Sequence, residues 1–201
     1  MPSWLWILLA FLLGSLPLSV WLGKIALHTD IRHFGDGNPG AANVWRAGGK
    51  WWGIVAVLLD FLKGAIPVGL ANYVVALEGW ALVAVALAPI LGHAFSPFLG
   101  FRGGKSLAVT FGIWTGLTLW VVPTVMGLGF GFWLAILVVE GWAVILGMLN
   151  LLVFLLVAMP DPVLLAVWFG SLLILVWKHR GDYHRSPQLS KGVLRRLFRK
   201  A

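Results

Sequence analysis

The sequence predicts an all-α membrane protein: about seven transmembrane helices in one polytopic domain, residues 1–201, with the N-terminus outside and the C-terminus cytoplasmic. Three observations predict it. Hydrophobic types make up 60% of the 201 residues and charged types only 11%, too few polar groups to coat a water-soluble core of this size. Apolar stretches long enough to cross a hydrocarbon layer of about 30 Å recur along the chain. Lysine and arginine cluster in alternate connections, the asymmetry that orients membrane helices.

The elements follow in order. The first apolar stretch, 4–27, has no basic residue before it and no convincing small-residue cleavage site, so it reads as a retained span, not a signal peptide. A polar loop, 28–51, carries Arg32, Arg46 and Lys50. The second span, 52–76, holds Asp60 and Lys63, an acid and a base at i, i+3 on one helix face. Such charges are costly in lipid, so the pair should face the bundle interior or a wet cavity. The third span is 80–99, followed by Arg102 and Lys105. Spans 106–122, 123–139 and 141–158 are separated only by Pro123 and by Glu140 and Gly141, and the last span is 162–178. The connections at Glu78 and at Pro160 and Asp161 carry acid and no Lys or Arg, which places them outside.

The tail, 178–201, is basic; Lys191, Arg195, Arg196, Arg199 and Lys200 crowd its end. Directly after a span, it reads as a cytoplasmic anchor on anionic membrane lipid, with no nucleic-acid partner expected. The chain has no cysteine, which excludes disulfides, thiolate nucleophiles and cysteine metal sites.

Three polar segments share the side assigned to the cytoplasm. The first contains Gly35, Asp36, Gly37, Asn38, Pro39, Gly40, Asn43 and Arg46. Glycine lets backbone approach a ligand closely, and successive N–H groups in such turns can hold an anion; an ordinary tight turn has the same composition. The second runs through His93, Ser96, Arg102, Gly103, Gly104, Lys105 and Ser106 into an apolar helix. It lacks the first glycine and the βαβ setting of a nucleotide-binding P-loop. Two glycines, a lysine and a helix N-terminus nevertheless suit a phosphate, with positive-inside anchoring as the plainer reading of Arg102 and Lys105. The third contains Lys178, His179, Arg180, Asp182 and Tyr183, where His179 is the group that can donate or accept a proton near neutral pH. Arg46, Arg102, Lys105 and Arg180, with glycine backbone between, would line a pocket for a phosphorylated substrate at the membrane surface.

Taken together, the pieces resemble the PlsY family of bacterial membrane acyltransferases. The resemblance runs through Gly14, Ser15, Leu16 and Pro17; Asp30, Ile31 and Arg32; Gly37 to Ala41 with Asn43, Val44 and Arg46; Leu59 to Gly64; Gly92 to Phe95; Phe101 to Lys105; and His179 with Arg180. It implies transfer of a fatty acyl group from acyl-phosphate to the sn-1 hydroxyl of glycerol-3-phosphate, giving lysophosphatidate in phospholipid synthesis, with no cofactor or metal. It implies a multi-pass protein of the bacterial cell membrane with its active site facing the cytoplasm. It implies Lys105, Arg46 and His179 as catalytic residues. Asp36, Gly37, Asn38, Gly40, Asn43, Lys63, His93, Arg102, Gly103, Gly104, Ser106, Arg180 and Asp182 would bind substrate. Oligomeric state is left open.

The chain departs from the family inside these motifs. The usual Gly-Ser-Gly-Asn reads Gly35, Asp36, Gly37, Asn38, and the usual His-Arg-x-Asn reads His179, Arg180, Gly181, Asp182, so two acids stand at neutral positions. Another acceptor, a passive lipid- or phosphate-binding role, and a small transporter are the alternative readings.

Overall fold

In lipid every backbone N–H and C=O must find its partner within the protein, so apolar stretches of this length become helices. A computed structural model describes residues 2–190 and 192; the tail cations Lys191, Arg195, Arg196, Arg199 and Lys200 lie outside the described residues. Eight α-helices are present among them: α1 (Ser3–Ser15), α2 (Leu18–Ala26), α3 (Ala41–Gly69), α4 (Gly79–Ala94), α5 (Leu107–Thr118), α6 (Val121–Ile136), α7 (Glu140–Ala158) and α8 (Pro162–Lys178). Four apolar segments reach spanning length, namely Ser3–Ala26, Ala41–Val74, Gly79–Leu99 and Glu140–Ala158, and α5, α6 and α8 are shorter apolar helices. These correspond to the seven predicted stretches, with two differences of internal form.

The first stretch is broken. Pro17 has no N–H to give to the turn before it, so α1 ends at Ser15 and α2 begins at Leu18. The second stretch begins earlier than predicted: helix starts at Ala41, inside the expected loop 28–51, and Gly49 (φ 78°, ψ −176°) separates its first two turns from the span proper. Only glycine adopts that backbone without strain. Further on, Pro67 lies inside α3, and a π-helical turn follows at Leu70–Val74. There Asn72 Nδ2 donates to the carbonyls of Gly116 and Leu117, and Tyr73 Oη donates to Leu117 as well. The last carbonyls of α5 thereby gain partners that the helix itself lacks.

The chain divides into two compact units, Met1–Leu119 and Trp120–Ala201. In the first, α1 packs on α4 and α3 packs on α5. Small residues permit both approaches. A Cβ on Gly92 would strike the carbonyl of Phe11, one on Gly112 that of Phe61, and one on Gly14 the backbone of Pro89. Ala10, Ala71, Val85 and Ala88 form one buried cluster; Val20, Ile31, Val44 and Ala56 form another. The second cluster fastens the polar loop at both ends, since Ile31 precedes it and Val44 follows it.

In the second unit, α7 packs against both α6 and α8. Trp168 Nε1 donates to the carbonyl of Met148, and Trp133 Nε1 donates to Asn150 Oδ1. After α8 the chain turns back over the start of α7. The backbone N–H of Val138 donates to Gln188, that of Ser190 donates to Ile136, and Trp142 Nε1 donates to the carbonyl of Arg185. Val153 and Val157 on α7 face outward, 62% and 80% exposed, as a lipid-facing surface should.

Candidate active site

In the first unit the loop between Phe34 and Gly40 is anchored by buried apolar residues on both sides and turns on its own polar groups. Asp36 is its hub. Its carboxylate accepts from the Asn38 N–H at 3.2 Å and from Asn43 Nδ2 at 3.1 Å. Asn43, fully buried at the start of α3, also donates to the carbonyl of Asn38 and accepts from Arg46 Nη1 at 2.6 Å. Arg46 Nη1 stands 4.0 Å from Asp36 Oδ1, and Lys105 Nζ stands 3.3 Å from Asp36 Oδ2. Two cations from separate polar segments thus converge on one exposed anionic group. Partial burial pushes the Asp36 carboxyl up, but the Asn38 N–H, Lys105 and Asn43 outweigh that and hold it below its ordinary value of 3.8. Nearby, the Arg32 guanidinium binds Asp30 at 2.6 Å and holds its carboxyl well below the usual carboxylate range.

The second polar segment is placed by α4. Gly103 N–H donates to the carbonyl of Ala94 at 3.2 Å, and Gly104 N–H donates to that of His93 at 3.1 Å. In this structure both N–H groups, expected to face an anion, have backbone partners on α4. Their role is to lay the loop flat on the end of α4: a Cβ on Gly103 would meet the carbonyl of His93, and one on Gly104 would meet His93 Nε2. Ser106, expected to bind substrate, follows directly. It is buried, its hydroxyl donates to the carbonyl of Ile90 at 3.3 Å, and it takes a left-handed backbone, φ 65°, where α5 starts. The strand of backbone from Gly103 to Ser106 thus projects Lys105 toward Asp36 while its neighbours stay pinned. Arg102 is exposed and is not among the groups gathered on Asp36.

Beneath the loops lies a buried polar network. Lys63 Nζ bonds Asp60 Oδ1 at 2.9 Å, and both side chains are only 3% exposed. The lysine also donates to the carbonyl of Leu16 at 2.9 Å. Ser19 donates to Asp60 Oδ2 at 2.7 Å, and His93 Nδ1 lies 3.8 Å from Asp60 Oδ1. Ser96 Oγ donates to the carbonyl of Ser15 at 2.6 Å. The Pro17 break is what exposes the carbonyls of Ser15 and Leu16 to these donors. The intramembrane pair therefore faces the interior, as predicted. Lys63, expected as a substrate ligand, fastens α3 to the broken first span. Lys63, Asp60 and His93 line a small cavity of about 10 Å³ whose other walls include Pro39 and Gly104. Asp60 is legible in the sequence as an intramembrane acid and Ser96 as part of the second polar segment; Ser19 carries no signal of its own.

The second unit holds its own constellation. His179 is 1% exposed, and its Nδ1 lies 2.8 Å from the carbonyl of Leu175, which can only accept. Nδ1 therefore carries the hydrogen, and Nε2 is directed toward Glu140 Oε1 at 4.0 Å. One ligand atom from each of Glu140, His179 and Asp182 lies within 4.8 Å of the others. This set could hold a divalent cation, a proton or a substrate hydroxyl. The backbone N–H of Asp182 donates to the carbonyl of His179, and Gly141 gives room for Asp182 and Tyr183. Arg180 lies over the Trp177 ring and donates to its carbonyl, so it sits as an interfacial cation. Glu140 read in the sequence only as punctuation between spans; its signal was an acid between two long apolar runs.

Comparison with known proteins adds to this geometry. The family model described as glycerol-3-phosphate acyltransferase matches residues 4–188. Glycerol-3-phosphate acyltransferase 1 of Thermotoga maritima is 36% identical over 193 residues, covering 89% of this chain and 95% of that one. The glycerol-3-phosphate acyltransferase of Desulfovibrio desulfuricans is 39% identical over 188 residues, covering 90% and 80%. Among solved structures, the chain is similar to PlsY, an integral membrane glycerol 3-phosphate acyltransferase, in its glycerol 3-phosphate form, with a TM-score of 0.83, 31% identity and 98% of each chain covered. The lysophosphatidic acid form of PlsY gives a TM-score of 0.81, again at 31% identity, with 91% of this chain and 90% of that one covered.

Proposed function

Because the chain belongs to the glycerol-3-phosphate acyltransferase family, we propose that it transfers a fatty acyl group from acyl-phosphate to the sn-1 hydroxyl of glycerol-3-phosphate, releasing lysophosphatidate and inorganic phosphate. The sn-1 oxygen forms the new ester bond to the acyl carbon, and the bond from that carbon to the phosphate oxygen breaks. The hydroxyl proton leaves on the departing phosphate. An acyl-phosphate is already activated, so the protein needs no nucleophile; it must hold two anionic partners in line and offset charge on the reacting carbonyl.

The observation that carries this reading is the convergence of Arg46 and Lys105 on one anionic group at the loop surface. We assign phosphate binding to these two side chains, with Asn38 and Asn43 shaping the loop between Gly37 and Gly40. A guanidinium and an ammonium held beside the two oxygens of one carboxylate suit a phosphate dianion. The roles of His179, Arg180 and Asp182 toward substrate rest on the family resemblance. The acyl-phosphate donor, the bacterial cell membrane and the cytoplasmic facing of the loops belong to the same proposal; the last is supported by the basic connections.

The test uses the purified protein in detergent with acyl-phosphate and glycerol-3-phosphate. Lysophosphatidate should form without any ion gradient. Lys105→Ala and Arg46→Ala should each lower kcat/KM by about 100-fold while leaving the helical circular dichroism unchanged. Full activity in both variants would remove the assigned phosphate site.

A further inference from the structure

Asp36 lies between Arg46 and Lys105, the two side chains assigned above to a substrate phosphate. Three donors meet its carboxylate, the Asn38 N–H at 3.2 Å, Asn43 Nδ2 at 3.1 Å and Lys105 Nζ at 3.3 Å, and the Arg46 guanidinium stands as an ion-pair neighbour at 4.0 Å. Two oxygens of a carboxylate present an edge much like that of a phosphate to such donors. Two cations brought this close would otherwise repel each other in the absence of ligand. The loop itself supplies the anion that offsets them, at the position where this chain has an acid and the family a serine.

We propose that Asp36 is a resident anion: it holds Arg46 and Lys105 together while the site is empty, and a phosphate-bearing substrate binds by displacing it from at least one of them. The inference rests on the assignment of Arg46 and Lys105 to phosphate. Asp36 then sets affinity rather than chemistry. A substrate phosphate arriving beside a carboxylate meets like charge, so each binding event first exchanges one anion for another. Glycine on either side allows that exchange. Gly35 and Gly37 both have positive φ, 55° and 72°, so the Asp36 turn swings on residues without a side-chain barrier. Asp36 is exposed, as Arg46 is, while Asn43 is buried, so displacement can move Asp36 outward without opening the core.

The competing account gives Asp36 a supporting role only, as the acceptor that orders Asn38 and Asn43. Asp36→Asn separates the two, because an amide oxygen keeps the acceptor for the Asn38 N–H and Asn43 Nδ2 while the charge is lost. Asp36→Ser, the residue usual in the family, serves as the second variant. Inorganic phosphate binding to the full-length detergent-purified protein would be measured by calorimetry, with thermal unfolding as the check on folding. Displacement predicts that both variants bind phosphate about three- to tenfold more tightly than the parent and that the KM for a phosphate-bearing substrate falls with it. Unchanged or weaker phosphate binding in both folded variants would overturn the proposal. Neither result depends on turnover: absence of product from the parent protein would count against the acyl-transfer reading alone, while the phosphate titration would still decide the role of Asp36.

Discussion

Asp60 and Lys63 show how two residues that lipid should exclude become structural. Each alone would be a buried, uncompensated charge. Together they offset one another's charge at 2.9 Å, while Ser19 donates to Asp60 Oδ2 and Lys63 donates to the Leu16 carbonyl. Removing one partner should therefore cost about 3–5 kcal/mol. Lys63→Met is expected to lower the thermal unfolding midpoint sharply, and Asp60→Asn combined with it should recover part of the loss; a single variant as stable as the parent would show that the pair is idle. At the surface, Asp36 and Asp30 give a pH prediction. Each folded-state carboxyl is held below its ordinary 3.8, so its stabilising contribution is complete above that value and is lost as pH falls through the lower folded-state value. Thermal stability should show no inflection from these two acids above about pH 5, and should fall on acidification below about pH 4, with less fall in Asp36→Asn.

Among the helices, contact between α3 and α5 and between α1 and α4 rests on missing side chains. Lipid gives no hydrophobic force between helices, so close backbone approach carries the association. Gly112→Ala puts a methyl group against the Phe61 carbonyl and should destabilise by about 1–3 kcal/mol, read as a lower unfolding midpoint in detergent. Gly104→Ala acts on function as well, because its methyl group meets the His93 ring rather than backbone. It should tilt the Lys105 loop and lower kcat/KM by about tenfold or more with a smaller change in stability. The Pro17 break belongs to this scale too. A continuous helix would hide the Leu16 carbonyl that Lys63 uses, so the first span is discontinuous where a charged partner needs its backbone.

For the chain as a whole, the distribution of basic residues predicts orientation. The absence of cysteine makes this directly measurable. Single cysteines at Asn38 and at Pro160 should react oppositely with a membrane-impermeant thiol reagent in intact cells. Pro160→Cys should label at once, and Asn38→Cys only after permeabilisation; the reverse pattern would place the candidate site outside.

Hydropathy is a property each residue carries by itself, summed along a stretch, and so the membrane class, the seven apolar stretches and the three polar segments could be read from the chain alone. Asp60 and Lys63 announced an interior position for the same reason, since lipid excludes them whatever their neighbours. Charge beside glycine-rich turns nominated Arg46 and Lys105; family resemblance gave them a catalytic role and marked Asp36 and Asp182 as unusual. Partnership is a property of space, and only the tertiary structure decided it. Nothing in the order of residues shows that the N–H groups of Gly103 and Gly104 are spent on α4, or that Ser106 is buried. Glu140 next to His179 is equally invisible in the order of residues, because α7 and the segment after α8 meet only when folded. The same holds for Asp36. Its sequence position says that an acid has replaced a hydroxyl; only the fold shows that its carboxylate already holds the two cations to which we assign a substrate phosphate, because hydrogen bonds and ion pairs act over a few ångströms between atoms the chain itself keeps far apart.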